Sequence, residues 1–69
     1  MDVISPMVGK IVSVDVKEGE QVKANDEVAT LEAMKMYVKI YTPGDGTVKE
    51  IKVAAGDTVN TDTVVMTIE

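Results

Sequence analysis

An internal repeat constrains this chain more than any other feature. Shifting the 69-residue sequence by 37 positions, so that residue 4 meets residue 41, aligns residues 4–32 with residues 41–69 without a gap. The identical pairs include Pro6 with Pro43, Gly9 with Gly46, Gly19 with Gly56, Val22 with Val59, and Glu32 with Glu69. A proline, two glycines and an apolar pattern that recur in one register predict two copies of one structural unit. At this length we expect a single domain over residues 1–69, built from repeat units 4–32 and 41–69.

The residue types in both copies indicate an all-β fold. Thirteen Val, five Ile and seven Thr stand against a single Leu, and such β-branched side chains suit a pleated sheet better than a helix. Val22 and Val59 are predicted to be isolated apolar anchors, and Gly19 is expected to supply a positive φ in a turn. The predicted strands cover residues 2–5, 9–17, 28–32, 36–41, 48–53 and 64–68.

Both copies carry the same irregularity in a long strand. Residues 11, 14 and 16, and equally residues 48, 51 and 53, are apolar at a spacing that a flat strand cannot place on one face. We therefore expect a bulge or sharp bend in each copy, which helps a small sheet to fold over itself. The predicted architecture is a flattened β-barrel or sandwich of two antiparallel sheets with quasi-two-fold symmetry.

The repeat leaves residues 33–40 unmatched. Considered alone, residues 27–37 are rich in Ala, Leu, Glu, Met and Lys and also fit a helix capped by Asn25 and Asp26. Residues 28–32 correspond to residues 65–69, however, which have the composition of a strand. The repeat therefore favours two strands joined by a tight turn at residues 33–36. Turns of this kind normally contain Asn, Asp or Gly, so a turn built from Met and Lys implies backbone strain, which is typical of functional sites.

The composition excludes several classes of function. The chain has no His and no Cys, which rules out Ser-His triads, thiol nucleophiles and the usual zinc sites. We therefore predict no catalytic residue and no metal site. A net charge of −5 and only two aromatic residues, both Tyr, argue against nucleic acid as a partner. No apolar run approaches the roughly 20 residues of a membrane span, so we expect no direct membrane insertion and a cytoplasmic location.

Three segments resemble one known family. The sequence Glu-Ala-Met-Lys-Met at residues 32–36 resembles the attachment motif of biotinyl (biotin carboxyl carrier) domains in the biotin/lipoyl attachment family. The Ser-Pro-Met-Val-Gly segment at residues 5–9 is similar to the Pro-Met-x-Gly segment of that family, with Val8 in place of a frequent Pro. Residues 42–48 resemble the strand that returns after the attachment hairpin. No insertion is evident at residues 19–22, so the resemblance is to the thumb-less type.

The resemblance implies a carrier and not an enzyme. Lys35 would carry biotin through an amide bond, and Glu32, Ala33, Met34 and Met36 would help a biotin protein ligase to recognise the site. The attached biotin would shuttle carboxylate between the active sites of biotin carboxylase, carboxyltransferase or decarboxylase subunits. The alternatives are a lipoyl carrier of an oxo-acid dehydrogenase or glycine cleavage system, and an unmodified interaction module. A structural alternative for Met34 and Met36 is burial in the core.

Overall fold

Eight β-strands and no helix make up the computed structural model, which describes all of residues 1–69. The four strands of the first half and the four of the second follow one another with short turns between them. They are β1 (Asp2–Ile4), β2 (Gly9–Val14), β3 (Gln21–Val22), β4 (Glu27–Ala33), β5 (Met36–Tyr41), β6 (Gly46–Ile51), β7 (Thr58–Val59) and β8 (Val64–Ile68). The predicted all-β fold is confirmed, and the helix considered for residues 27–37 is wrong, since β4 and β5 occupy that segment.

The strands form two antiparallel sheets of four, with orders β1-β8-β6-β3 and β5-β4-β2-β7. A shift of 37 residues converts β2 into β6 and β3 into β7 with identical bounds, and it brings β4 onto β8. The same shift converts one sheet order into the other. Each sheet therefore takes its two central strands from one repeat and its two edge strands from the other repeat or the unmatched segment. The two copies interlock, and the quasi-two-fold symmetry is confirmed.

The expected bulges lie at equivalent places in the two sheets. The register of β2 against β4 shifts between Ile11 and Ser13, and that of β6 against β8 shifts between Val48 and Glu50. The shift turns Val12 outward, where 43% of it is exposed, while Ile11 stays fully buried. Val12, although apolar, therefore does not join Val14 and Val16 in packing against the core, because the bulge adds a residue to one side of the ladder.

One hydrophobic cluster fills the space between the sheets. Both central strands of each sheet contribute to it, and the single leucine, Leu31, is fully buried there. The members are Val3, Ile11, Val16, Val22, Val28, Ala29, Leu31, Ile40, Val48, Val59, Val65, Met66 and Ile68. Because there is neither a disulfide nor a metal cluster, this compact packing of small branched side chains provides the main stabilisation of the fold.

Glycine turns close both copies in the same way. Gly19 and Gly56 have φ values of 90° and 99°, as the prediction for Gly19 required. The amide of Gly19 donates to the carbonyl of Val48 at 2.7 Å, and the amide of Gly56 donates to the carbonyl of Ile11 at 2.7 Å. Each turn therefore connects one repeat to the bulged strand of the other.

The bounds of four predicted strands differ from those of the structure. β1 ends at Ile4 and not at residue 5, and β4 covers Glu27–Ala33 where residues 28–32 were predicted. β2 ends at Val14 and not at residue 17, although Val16 beyond it remains buried. β6 covers Gly46–Ile51 where residues 48–53 were predicted. Val22 and Val59 are not isolated, because each belongs to a two-residue strand. The two short strands exist because each pairs with the other repeat, β3 with β6 and β7 with β2.

Candidate attachment site at the β4–β5 turn

A two-residue turn joins β4 to β5 at one end of the molecule. Ala33 pairs with Met36 across the two strands, which leaves Met34 and Lys35 as the turn itself. Their φ values are 52° and 65°, in the left-handed region, which is unfavourable for residues other than Gly, Asn and Asp. Two consecutive residues of this kind match the twist of a hairpin loop. The strained turn expected from the sequence is confirmed.

The strands on either side keep the turn in this strained conformation. β4 is a central strand that pairs with β2 on one side and with β5 on the other, over almost its whole length. Val28, Ala29 and Leu31 of β4 are fully buried. A rigid two-sided ladder therefore fixes the position of the turn, and the turn residues gain nothing from packing of their own.

The side chains of the turn point into solvent. Met34 is 96% exposed and Met36 is 66% exposed, so neither methionine belongs to the core. Met36 lies on the same face of β5 as Val38 and Ile40, but beyond the end of the core. Lys35 is exposed and takes part in none of the ion pairs or side-chain hydrogen bonds of the protein. Its Nζ is therefore free to react with a group brought by another molecule.

The two other predicted recognition residues lie directly below the turn. Glu32 is exposed on the outer face of β4, between Lys10 of β2 and Tyr37 of β5. It makes no ion pair with Lys35. Ala33 is half-buried opposite Met36, on the inner face. The structure thus brings all five residues of the segment 32–36 to one end, with Glu32 facing a different side from Ala33 and Met36.

The loop between β1 and β2 borders this turn. Gly9 lies against β4 so closely that a Cβ atom on it would come within 2.6 Å of the carbonyl oxygen of Glu32. Lys10 pairs with Glu32, so the preceding residues 6–8 run on toward the turn. Val8 is 64% exposed in this loop, and the equivalent residue of the second copy is Asp45. Val8 is noted in the sequence only as a departure from a frequent Pro of the family segment, and its mismatch with Asp45 within the repeat is a second signal at the same position.

The chain termini occupy the symmetry-related end. The carbonyl of Met1 accepts a hydrogen bond from the amide of Ile68, and Glu69 pairs with Thr47. These contacts between β1, β8 and β6 correspond under the repeat to those between β5, β4 and β2 near Lys35. The chain termini therefore lie at the position in the second copy that corresponds to the strand ends beside Lys35 in the first.

Comparison with known proteins agrees with this geometry. Residues 1–68 match the family model described as "Biotin-requiring enzyme". The chain belongs to this biotin/lipoyl family. The family resemblance recognised in the sequence is thereby confirmed.

Individual relatives are both small proteins and large enzymes. The chain is 45% identical over 60 residues to a biotin/lipoyl attachment protein of Bacillus subtilis, covering 87% of this chain and 82% of that protein. It is 42% identical over 57 residues to a biotin carboxyl carrier protein of acetyl-CoA carboxylase of Solanum lycopersicum, covering 83% and 81%. A pyruvate carboxylase of Staphylococcus aureus is 43% identical over 63 residues, which is 91% of this chain but 6% of that enzyme.

A solved structure shares the whole fold. The urea carboxylase of Kluyveromyces lactis superposes on 100% of this chain, which spans 6% of that protein, with a TM-score of 0.94 and 28% identity. Family members of this fold thus occur as small parts of carboxylases. The chain itself has no helix of the length and apolar character needed to cross a membrane, and no group of three potential metal-ligating side chains.

Proposed function

We propose that this protein is a biotin carboxyl carrier domain in which biotin is joined to the Nζ of Lys35. The observation that carries the proposal is the exposed, unpaired amine of Lys35 in a strained Met-Lys turn held by a rigid ladder. No other lysine of the chain lies in a turn between two paired strands. The family match supports biotin as the cofactor, and the methionines on both sides of Lys35 support biotin over lipoate.

The residues present fit the group that would be attached. Amide formation requires one accessible amine that can lose a proton, with no carboxylate fixed against it, and Lys35 meets that requirement. A biotin protein ligase would form the amide bond between Nζ and the carboxyl carbon of biotin. ATP would activate the carboxyl group as a mixed anhydride, the bond from the acyl carbon to the phosphate-bearing oxygen would break as Nζ attacks, and the ammonium group would lose two protons in all. The reaction removes one positive charge and changes the net charge from −5 to −6.

The chain contributes position and reach. When bound, the biotin group supplies a ureido nitrogen on which carboxylate can be carried. The rigid ladder of β4 with β2 and β5 presents Lys35 in an exposed turn outside the core. The flexible stem of the lysine then extends the arm into a partner's active site. Tethering raises the local concentration of the group to the order of millimolar, as for any short flexible linkage.

The proposed partners follow from this division of labour. Biotin protein ligase modifies Lys35. The surface that the ligase recognises is formed by Met34, Met36, Ala33 and Glu32. Biotin carboxylase and a carboxyltransferase or decarboxylase then use the attached group, so the domain has no catalytic residue of its own. Membership of relatives in carboxylases supports such partners. A cytoplasmic location is proposed with them, because the ligase reaction needs ATP.

Mass spectrometry of the intact protein tests the proposal. We expect incubation with purified biotin protein ligase, biotin and ATP to add about 226 Da, and peptide mapping to assign the addition to Lys35. The matched control is Lys35→Arg, which keeps the charge and the turn but should gain no mass. Lys39→Arg, four residues away on β5, should be modified like the wild type. An unmodified wild-type protein, or modification that persists in Lys35→Arg, would overturn the proposal.

The lipoyl carrier is the second candidate, and one relative is named as an attachment protein for both groups. Incubation with a lipoate ligase, lipoate and ATP would add about 188 Da to Lys35 if this reading is correct. Comparing initial rates for the two ligases at equal enzyme concentration decides between the candidates. We expect biotinylation to be the faster reaction, because Met34 offers the ligase an apolar contact where lipoyl domains typically carry Asp.

A further inference from the structure

The internal repeat allows equivalent loops of the two copies to be compared, which separates residues needed for folding from the others. Ser5 and Thr42 are both buried, and their hydroxyl groups donate to the carbonyl oxygens of Met7 at 2.8 Å and Gly44 at 2.9 Å. The loops that follow β1 and β5 therefore have the same conformation. Where the two loops carry different residues at equivalent positions, the backbone conformation does not require either residue.

Residue 8 is such a difference. Its counterpart Asp45 has a structural role, because the Oδ1 of Asp45 accepts a hydrogen bond from the amide of Ala24 at 2.7 Å. The equivalent of Ala24 is Thr61, whose amide finds no acceptor at Val8. Val8 instead leaves 64% of its surface in solvent. The loop after β1 thus carries an exposed apolar side chain at a position where the loop after β5 has a hydrogen-bonded carboxylate. The fold therefore does not require an apolar residue there.

Val8 lies at the Lys35 end of the molecule. It directly precedes Gly9, which lies against Glu32, and Glu32 is two residues from Met34. Lys10 pairs with Glu32 in the antiparallel ladder, so Val8, two residues before Lys10, runs toward Met34, two residues after Glu32. We call three exposed apolar side chains, those of Val8, Met34 and Met36, the apolar turn patch; Met7 and Tyr37, next to Val8 and Met36 in the chain, are exposed as well. In the equivalent loop of the second copy, Gly44 and Asp45 offer no apolar side chain of their own, and the exposed Met1 that lies against Gly44 comes from the chain terminus.

The small size of the apolar turn patch indicates a transient partner. A stable protein interface takes about 20–30 residues on each side, and three side chains with their neighbours fall far short of that. A second copy of this chain is therefore a poor occupant. An enzyme that modifies Lys35 and then releases the product fits better, because weak contact is sufficient for it and favours turnover.

The length of the lysine side chain decides which enzyme that is. A ligase must bring the Nζ itself to its active site, on a stem of only four carbons, so its surface must close over the turn and the adjoining loop. Enzymes that act on the attached group meet it farther from the domain, beyond an acyl chain. The apolar turn patch therefore suits the acylating enzyme more than those that use the arm later.

We infer that Val8 is a recognition residue for the biotin protein ligase, which it contacts together with Met34 and Met36. This inference rests on the proposed function, since it names a further contact of the same site. The contact contributes to binding of the domain, and Val8 takes no part in the chemistry at Lys35. Loss of Val8 should therefore raise the KM of the ligase for the domain and leave kcat nearly unchanged.

The test is a ligase assay on Val8→Asp and Val8→Asn, with Val12→Asp as the matched control. Val8→Asp takes the residue of the second copy, so we expect it to fold with unchanged or higher stability by gaining the amide of Thr61. Its KM should rise about tenfold, as expected when burial of a side chain of this size is lost. Val8→Asn should show the same increase without a change of charge. Val12→Asp alters an exposed valine on the outer face of β2 and should leave the KM within twofold.

The outcomes separate this inference from the function on which it depends. If the wild type is not biotinylated, the proposed function fails. If the wild type is biotinylated but Val8→Asp and Val8→Asn keep the wild-type KM, only the inference fails. It also fails if Val12→Asp raises the KM equally. Sedimentation of the wild type as a dimer that Val8→Asp dissociates would assign the patch to a second copy. An effect confined to a later carboxylase assay would assign it to that enzyme, and either result would overturn the inference.

Discussion

Gly9 and Gly46 occupy the same position in the two repeats, and neither has room for a side chain. A Cβ on Gly9 would lie 2.6 Å from the carbonyl oxygen of Glu32 and 2.7 Å from the Cδ1 of Leu31. A Cβ on Gly46 would lie 2.7 Å from the carbonyl oxygen of Glu69 and 2.5 Å from the Cγ2 of Ile68. Gly9 is the first residue of β2, which pairs with β4, and Gly46 is the first residue of β6, which pairs with β8. The absence of a side chain lets each pair of strands approach closely at this point.

Alanine at either glycine should destabilise the fold. The carbonyl oxygen that Cβ would meet is held in place, for Gly9 by the ladder of β4 and for Gly46 by a hydrogen bond that Glu69 accepts from the amide of Thr47. We therefore expect Gly9→Ala and Gly46→Ala each to lower the free energy of unfolding by about 1–3 kcal/mol. Urea denaturation measures this. Gly44→Ala is the control, because its Cβ would meet only the flexible side chain of Met1 and should cost less. Equal losses for all three variants would contradict the steric explanation.

Relieving the strain of the turn should stabilise the protein at the expense of recognition. Met34 has a φ of 52° and almost no packing, whereas Asn adopts this conformation readily. Met34→Asn should therefore raise the free energy of unfolding by about 0.5–1 kcal/mol and raise the KM of the ligase several-fold. Met36→Asn is the same change in a β-strand, where Asn is unfavourable, and should lower stability. A loss of stability in Met34→Asn would mean that Met34 packs in solution.

A buried hydroxyl on the outer face of β4 supports the same strand. Thr30 is 6% exposed; its Oγ1 donates to the Oδ2 of Asp15 at 3.2 Å and accepts from the Nζ of Lys39 at 3.0 Å. Thr67 is its equivalent in the second copy and makes no side-chain hydrogen bond. We expect Thr30→Val to cost about 1 kcal/mol more than Thr67→Val in urea denaturation, the typical value of a hydrogen bond. Equal costs would show that the three-residue contact contributes nothing to stability.

The repeat carried most of the fold prediction. Because Gly9, Gly19 and the apolar positions recur in one register, they predict strands, turns and bulges in both copies. The repeat also resolved residues 28–32 as a strand, against a helical composition. The prediction succeeded because two equivalent segments form equivalent strands, and pairing with neighbouring strands outweighs the helix propensity of the individual residues.

The interlocking of the two copies could not be predicted in this way. A repeat shows that two segments fold alike, and it does not show whether each pairs with itself or with the other. The pairing of Gln21 and Val22 with Thr47 and Gly46 joins residues far apart in sequence, and no local pattern marks it. The ends of β2 and β6 have a different origin: they lie three and two residues before the predicted ends, where pairing with β4 and β8 of the same repeat stops.

The candidate site was predictable because its chemistry conflicts with its backbone. Met34 and Lys35 are poor residues for a two-residue turn, and the conflict is visible once the flanking strands are assigned. Exposure was less predictable. Met36 shares the inner face with Val38 and Ile40, so its periodicity alone suggested burial, and only the position of the core's end leaves it in solvent.

Lys35 itself should be dispensable for folding. It makes no ion pair and no side-chain hydrogen bond, and its strained φ of 65° is shared by any residue with a Cβ at this position. We expect Lys35→Ala to change the free energy of unfolding by less than about 0.5 kcal/mol while abolishing biotinylation, because both residues bear the same strain and neither packs. Urea denaturation beside the ligase assay measures the two effects on one preparation. A destabilisation above about 1 kcal/mol would mean that Lys35 supports the hairpin, and loss of modification in that variant would then report unfolding rather than loss of the amine.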